Sequence, residues 1–137
     1  MPYRIILLIL LLLTATSCSS MKNYKIRDDF EESSKSYNKM LRWRELEKAS
    51  GAFVTAPLRE KYDLSLKAAG KITITDLRVK TQDCSPEKGK ANVVIEIDYF
   101  RLPSVTLKTV EDSQKWEYCE EDGQKLWRLM TVLPEFK

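Results

Sequence analysis

The hydrophobic period of the chain changes once, near residue 70. Before this point apolar side chains recur at helical spacing, as in Leu58, Tyr62 and Leu66. After it they alternate with polar residues, as in Val93 and Ile95. This single change predicts an α+β domain, with the helices first and an antiparallel sheet after them.

The helical part divides into three segments. The stretch before Gly51 contains neither Gly nor Pro over many turns, and its apolar residues form two stripes about half a turn apart. One straight helix would not present both stripes to one core. We therefore predict a helix over about 25–41, a break, and a short helix over about 43–51 that is ended by Gly51. A third helix starts near Pro57 and stops at Gly70.

The alternating part divides into four strands. Turn signals fall at 85–89, 102–104 and 121–123. The alternation is interrupted around Asp76. It is interrupted again within 109–113, because Val105 and Leu107 have one parity and Trp116 and Tyr118 the other. We expect a β-bulge at each place. The prediction is a meander of four long antiparallel strands, curved by its bulges into a cone-like sheet, with the helices packed on it.

The amino terminus has a different composition. Ile5–Leu13 is a run of nine Ile and Leu residues, preceded by Arg4 and followed by small residues up to Cys18. This order is that of a secretory signal peptide. Nine apolar residues are too few to span a bilayer, which needs about 20. Residues 1–17 are therefore predicted to be a cleaved export signal.

The segment Ala15-Thr16-Ser17-Cys18 resembles the lipobox of bacterial lipoproteins, although Ala15 stands where Leu is usual. The resemblance implies cleavage before Cys18, a diacylglyceryl group on its thiol, and a fatty acid such as palmitate on the new amino group. Ser19 is not Asp, which by the same resemblance implies the periplasmic face of the outer membrane. Residues 18–27 are then the lipidated Cys and a short tether, and 28–137 the domain.

The layout resembles the nuclear transport factor 2-like superfamily of cystatin-like α+β cones, and in particular uncharacterised periplasmic lipoproteins. The likeness lies in the sequence 43–49 after the opening helix, in the helix starting at 57–62, and in two Trp-containing strands around an Asp-Gly turn at 114–129. It implies a cone lined by apolar and aromatic side chains. The residues expected to line it are Tyr62, Tyr99, Trp116, Tyr118 and Trp127, with Val93, Ile95, Ile97 and Leu129.

The chain contains no His, which excludes His-based nucleophile pairs, an imidazole base and His-containing zinc sites. We predict no metal site and no cofactor. Asp76 is a weak catalytic candidate for an isomerase or dehydratase of the kind the superfamily contains. The alternative is that Asp76 lies on the surface and the aromatic residues are plain core. The leading expectation is a non-catalytic domain that binds a protein partner or a small apolar ligand.

Other partners follow from charge and from the second sheet face. The 23 Lys+Arg are dispersed among 20 Asp+Glu, which argues against nucleic-acid binding. Val94 and Phe100 share the outward parity with Leu126 and Met130, which indicates that this face is covered. A structural envelope component that forms a homodimer through its sheet is therefore a further alternative, and coverage by the tail or a loop is another.

Two Cys remain once Cys18 is lipidated. Parity places Cys84 and Cys119 on the polar face, one strand apart, with Cα atoms about 9–10 Å from each other. That exceeds the usual disulfide reach of about 7 Å unless a loop folds over the intervening strand. An oxidising compartment nevertheless favours pairing. A Cys84–Cys119 disulfide, two free thiols and an intermolecular bridge therefore all stay open.

Overall fold

The computed structural model describes the backbone of residues 2–137, together with the side chains of Tyr3, Ile6 and residues 18–137. Three helices pack on a four-stranded antiparallel sheet with strand order β1-β2-β3-β4. The elements are α1 (Pro2–Arg42), α2 (Leu46–Phe53), α3 (Arg59–Ala69), β1 (Thr73–Ser85), β2 (Lys90–Phe100), β3 (Lys108–Glu121) and β4 (Gln124–Leu129). The α+β class and the antiparallel meander are thus as predicted.

The first helix is longer than expected. α1 is unbroken over 41 residues and includes the whole of the expected tether, 18–27. As helix, these ten residues rise roughly 15 Å, about half of their extended reach. Most side chains of the expected signal peptide, 1–17, lie outside the described residues. Among the residues that are described, no helix is long and apolar enough to cross a membrane.

The predicted break between the first two helices is confirmed. α1 ends at Arg42, and Arg44 adopts a positive φ of 62° before α2 begins at Leu46. This left-handed residue redirects the chain. As a result Leu41 of α1 and Ala49 of α2 are both fully buried in one core, as the two apolar stripes require.

The two glycines expected to end helices behave differently. Gly70 ends α3 with a φ of 64°, and its N–H bonds to the carbonyl of Leu66. Gly51 does not end its helix, because α2 continues to Phe53. The chain leaves the helix only at Val54, which pairs with the end of β4.

The bulge expected near Asp76 is confirmed, since the register of β1 on β2 shifts between Ile74 and Asp76. A second shift, which the sequence pattern did not predict, lies between Val79 and Thr81. Each shift reverses which side of the sheet the following residues face.

The bulge expected within 109–113 is absent. β2 and β3 pair without a register shift. The expectation was wrong because Val105 and Leu107 precede β3 in an exposed loop, so their parity places no constraint on the strand.

The helix-facing side of the sheet is filled by aromatic packing. Phe30 and Tyr37 of α1 meet Trp116 edge-on, with ring centroids 6.1 and 5.6 Å apart. Trp127 lies 5.0 Å from Phe30, and its Nε1 donates a 2.9 Å hydrogen bond to the Ile26 carbonyl. All five residues are buried. The described part of α1 is therefore held by the third and fourth strands together.

The two tryptophans of opposite exposure make a matched test of this core. Trp116 is 1% exposed and Trp43 is 67% exposed. We expect Trp116→Ala to lower the free energy of unfolding by roughly 3–5 kcal/mol, because it removes a large buried side chain. Trp43→Ala should change it by less than about 0.5 kcal/mol. Urea unfolding measures both, and equal effects would contradict the packing described.

Candidate functional site

The side chains expected to line a cone lie on the inner side of the domain. Tyr62, Tyr99, Trp116 and Trp127 are buried, and Tyr118 is half-buried. They contact neighbouring side chains: Tyr118 packs 5.3 Å from Trp127, and the Tyr99 hydroxyl donates to the Lys137 carbonyl at 2.8 Å. These residues form a filled core.

Asp76 lies on the outer side of the sheet. Arg78 Nη1 is 2.6 Å from one carboxylate oxygen, and Arg42 Nη1 is 4.0 Å from the other. The hydrogen bond from Arg78 holds the pKa of Asp76 below its usual range. A general base needs a pKa raised toward neutrality and a sheltered position. Asp76 has neither, and it is the surface residue that the alternative interpretation expected.

Arg78 joins an ionic network that crosses the outer side of the sheet. Its Nη2 lies 2.7 Å from Glu96, and its Nη1 lies 2.7 Å from Asp98. The hydrogen bond from Arg78 lowers the pKa of Asp98 to about 2. Lys80 extends the network to Glu111. These paired charges cross the outer side of the sheet. An interface formed through that side would therefore have to remove paired ions from water, which costs free energy.

A buried polar cluster on the inner side was missed by sequence reasoning. Asp112 is only 3% exposed. Gln114 Nε2 donates to Asp112 Oδ2 at 3.0 Å and to Asn38 Oδ1 at 2.8 Å. Uninterrupted alternation back from Trp116 would have placed Gln114 and Asp112 on the inner side. The bulge wrongly expected within 109–113 concealed this for Asp112.

Two tyrosines complete the polar cluster. The hydroxyls of Tyr37 and Tyr62 lie 2.9 Å apart, and burial raises the pKa of both phenols. Burial also raises the pKa of Asp112 to about 6, against the opposing effect of the Gln114 hydrogen bond. A carboxyl that titrates near neutrality beside neutral phenols has the chemistry of acid–base catalysis. Asp112 is nearly closed off from solvent in this structure.

The two remaining cysteines face opposite sides of the sheet. Cys84 pairs with buried Ala91, and Cys119 pairs with Leu126, which is on the exposed side. The prediction that both face the polar side was wrong for Cys84, because the second β1 bulge reverses its direction. Both thiols are free, and partial burial raises the pKa of each.

Two surface cavities lie among the helices, away from the residues predicted to form a site. One of about 410 Å³ lies between Arg44, Gly70 and Ile72. The other, of about 610 Å³, lies between α2 and α3, where Ser50 donates to Asp63 at 2.9 Å. Both have mixed charges along their walls.

Comparison of the chain with protein-family models, curated proteins and solved structures finds no match. Within the described residues, no group of three or more Cys, Asp or Glu side chains is arranged to hold a metal ion. The buried polar cluster and the surfaces of the domain are therefore the features from which its function has to be inferred.

Asp112 predicts an unusual dependence of stability on pH. The folded chain holds its proton more tightly than the unfolded chain, because its pKa is about 6 in the fold and about 3.9 in an unfolded chain. The stabilising contribution is complete below about pH 4 and is lost as pH rises through about 6. We expect up to roughly 3 kcal/mol between these limits, measured by urea unfolding across that range.

Two Asn variants separate this effect from surface titration. Asp112→Asn should remove the slope between about pH 4 and 7, because an amide does not titrate there. Asp98→Asn is the control: the pKa of Asp98 is lowered, so its contribution is lost only as pH falls below about 4. A slope that survives Asp112→Asn would show that another group causes it.

The thiols give a chemical test of the strand register. In the Cys18→Ser chain, we expect both Cys84 and Cys119 to react with a thiol reagent after denaturation without reductant, because they face opposite sides of the sheet. The reduced sample is the control for complete reaction. Absence of reactive thiols before reduction, in a monomeric chain, would demonstrate a Cys84–Cys119 disulfide and contradict the register.

Proposed function

We propose that this chain is a lipid-anchored lipoprotein of the bacterial cell envelope whose domain binds a protein partner and performs no chemistry. On this proposal the domain is nuclear transport factor 2-like, and it faces the periplasm from the outer membrane. The lipobox-like segment ending at Cys18 supports the anchor. Cys18 is exposed on α1, eight residues before the first core residue, Ile26.

The filled inner side of the sheet is the observation that supports a protein partner rather than a small ligand. A small apolar ligand would need the space between α1 and the strands, which Phe30, Tyr37 and Trp116 occupy. Pockets for such ligands are usually preformed and of several hundred Å³. The packed aromatics therefore favour recognition through the outer surface of the domain, by a protein.

A second candidate function rests on the buried polar cluster. Carboxyls with raised pKa values are common at active sites. An isomerase or dehydratase would use Asp112 as the base and the Tyr37–Tyr62 pair as hydrogen-bond donors. This assigns to Asp112 the role that the sequence pattern gave to Asp76.

Amide hydrogen exchange distinguishes the two candidates. An enzyme must open to admit substrate to Asp112, so those amides of 110–116 that bond to β2 would exchange by local opening. A binding domain with a permanent core should show exchange of these amides only with global unfolding, at the free energy measured in urea. Fast local exchange there would favour the enzyme.

The anchor is tested by Cys18→Ser. We expect this variant to remain an uncleaved and unacylated precursor, because the thiol that accepts the lipid is missing. Cys84→Ser is the matched control and should mature normally. Mass spectrometry of the chain from membrane fractions measures both changes, and normal maturation of Cys18→Ser would overturn the lipoprotein assignment.

A further inference from the structure

The direction of α1 gives the domain two distinct ends. Near the start of its packed part, Arg27 Nη2 donates to the Cys84 carbonyl at 3.4 Å, at the end of β1. Near its own end, Arg42 lies 4.0 Å from Asp76, at the start of β1. α1 and β1 therefore run in opposite directions, and Cys18 projects beyond the end of the sheet that holds the β1–β2 turn.

The opposite end of the sheet holds an exposed apolar loop. Thr73 pairs with Phe100, so the loop 101–107 leaves the sheet at the end remote from Cys18. Its large side chains are strongly exposed: Leu102 by 68%, Val105 by 75% and Leu107 by 57%. Exposed apolar residues that cluster in this way commonly mark an interaction site.

Trp43 lies at the same end. It follows the last residue of α1 and is 67% exposed. Its neighbour Arg44 borders the 410 Å³ cavity together with Gly70. A side chain at Gly70 would lie 3.8 Å from the guanidinium of Arg101, so the cavity reaches the base of the 101–107 loop. We call Trp43–Arg44, this cavity, the adjoining Lys71 between its lining residues Gly70 and Ile72, and the loop the distal surface.

The distal surface carries unpaired positive charge. Arg44 and Lys71 have no ion-pair partner among the described residues. Asp76 is bonded by Arg78 and Glu45 by Lys48. Glu47, on the cavity wall, has no ion-pair partner among the described residues either, so the two unpaired cations face one unpaired acid. Trp and Arg are the residue types that most often dominate protein interfaces. Unpaired cations around an apolar patch are complementary to a partner surface whose apolar side chains are surrounded by acidic residues.

We propose that the distal surface is the docking site for a protein that presents apolar side chains within an acidic rim. This inference rests on the proposed function, which supplies the anchor at Cys18. The helical connection between Cys18 and the core turns the distal surface away from the membrane that holds the lipid. A lipid surface is a poorer fit, because that membrane lies at the other end of α1.

The test is photocrosslinking in cells of the native host. The full chain carries p-benzoylphenylalanine in place of Val105, or in a second strain in place of Trp43. Chains with the crosslinker at Val79 or Leu126, which are exposed elsewhere, are the positional controls. We expect a discrete protein adduct from the distal positions only.

Charge reversal tests the complementarity. Arg44→Glu with Lys71→Glu should reduce the Val105 adduct by about tenfold or more, because like charges across an interface are strongly unfavourable. Lys22→Glu with Lys125→Glu is the matched control and should leave it unchanged. If Arg44→Glu with Lys71→Glu lowers the amount of folded chain, Leu102→Ser with Leu107→Ser is used instead. Its effect is measured on the adduct formed by the crosslinker at position 43.

Several outcomes would overturn the inference. The first is the absence of any adduct from the distal positions, or equal adducts from the control positions. The second is an adduct with phospholipid, or one of twice the chain's mass. The third is a Val105 or position-43 adduct that neither the Arg44 and Lys71 variant nor the Leu102 and Leu107 variant reduces. Membrane fractionation of the same cells distinguishes a failure of the proposed function from a failure of the docking site. A chain found outside the membrane fraction contradicts the proposed function, whereas an anchored chain without the adduct contradicts only the distal docking site.

Discussion

The contact between α1 and the last two strands is the interaction on which the rest of the fold depends. Phe30 and Tyr37 share Trp116, and Trp127 both packs on Phe30 and bonds to the helix backbone. Aromatic pairs with edge-to-face geometry add to the gain from burial. This contact fixes the direction of α1 and fills the inner side of the sheet.

The polar groups inside this core serve a different purpose from the aromatics. Asp112, Gln114 and Asn38 form a connected hydrogen-bond chain at the edge of the aromatic cluster. Burial of a carboxyl costs free energy even when it is bonded. Such groups persist where they align packed elements or perform chemistry. In this domain they join the last turns of α1 to the middle of β3.

Periodicity predicted the elements well and failed where the period broke. Val93 and Ile95 were placed correctly because β2 alternates without interruption. Cys84 was misplaced because a second bulge in β1 has no marker in the sequence. Asp112 was missed because two apolar residues outside the strand were counted as part of it. The continuity of α1 through 18–27 was missed because most of these residues are exposed and so show no apolar stripe, which was the signal used to place the first helix.

The bond from Trp127 to Ile26 joins residues 101 positions apart in the chain. Contacts between such distant residues form late, because a long loop must first be closed. The opening helix therefore lacks its main partner until almost the whole chain has been synthesised. For a protein proposed to be exported, this delay leaves the core incomplete, and a chain without a finished core is easier to thread through a translocation channel.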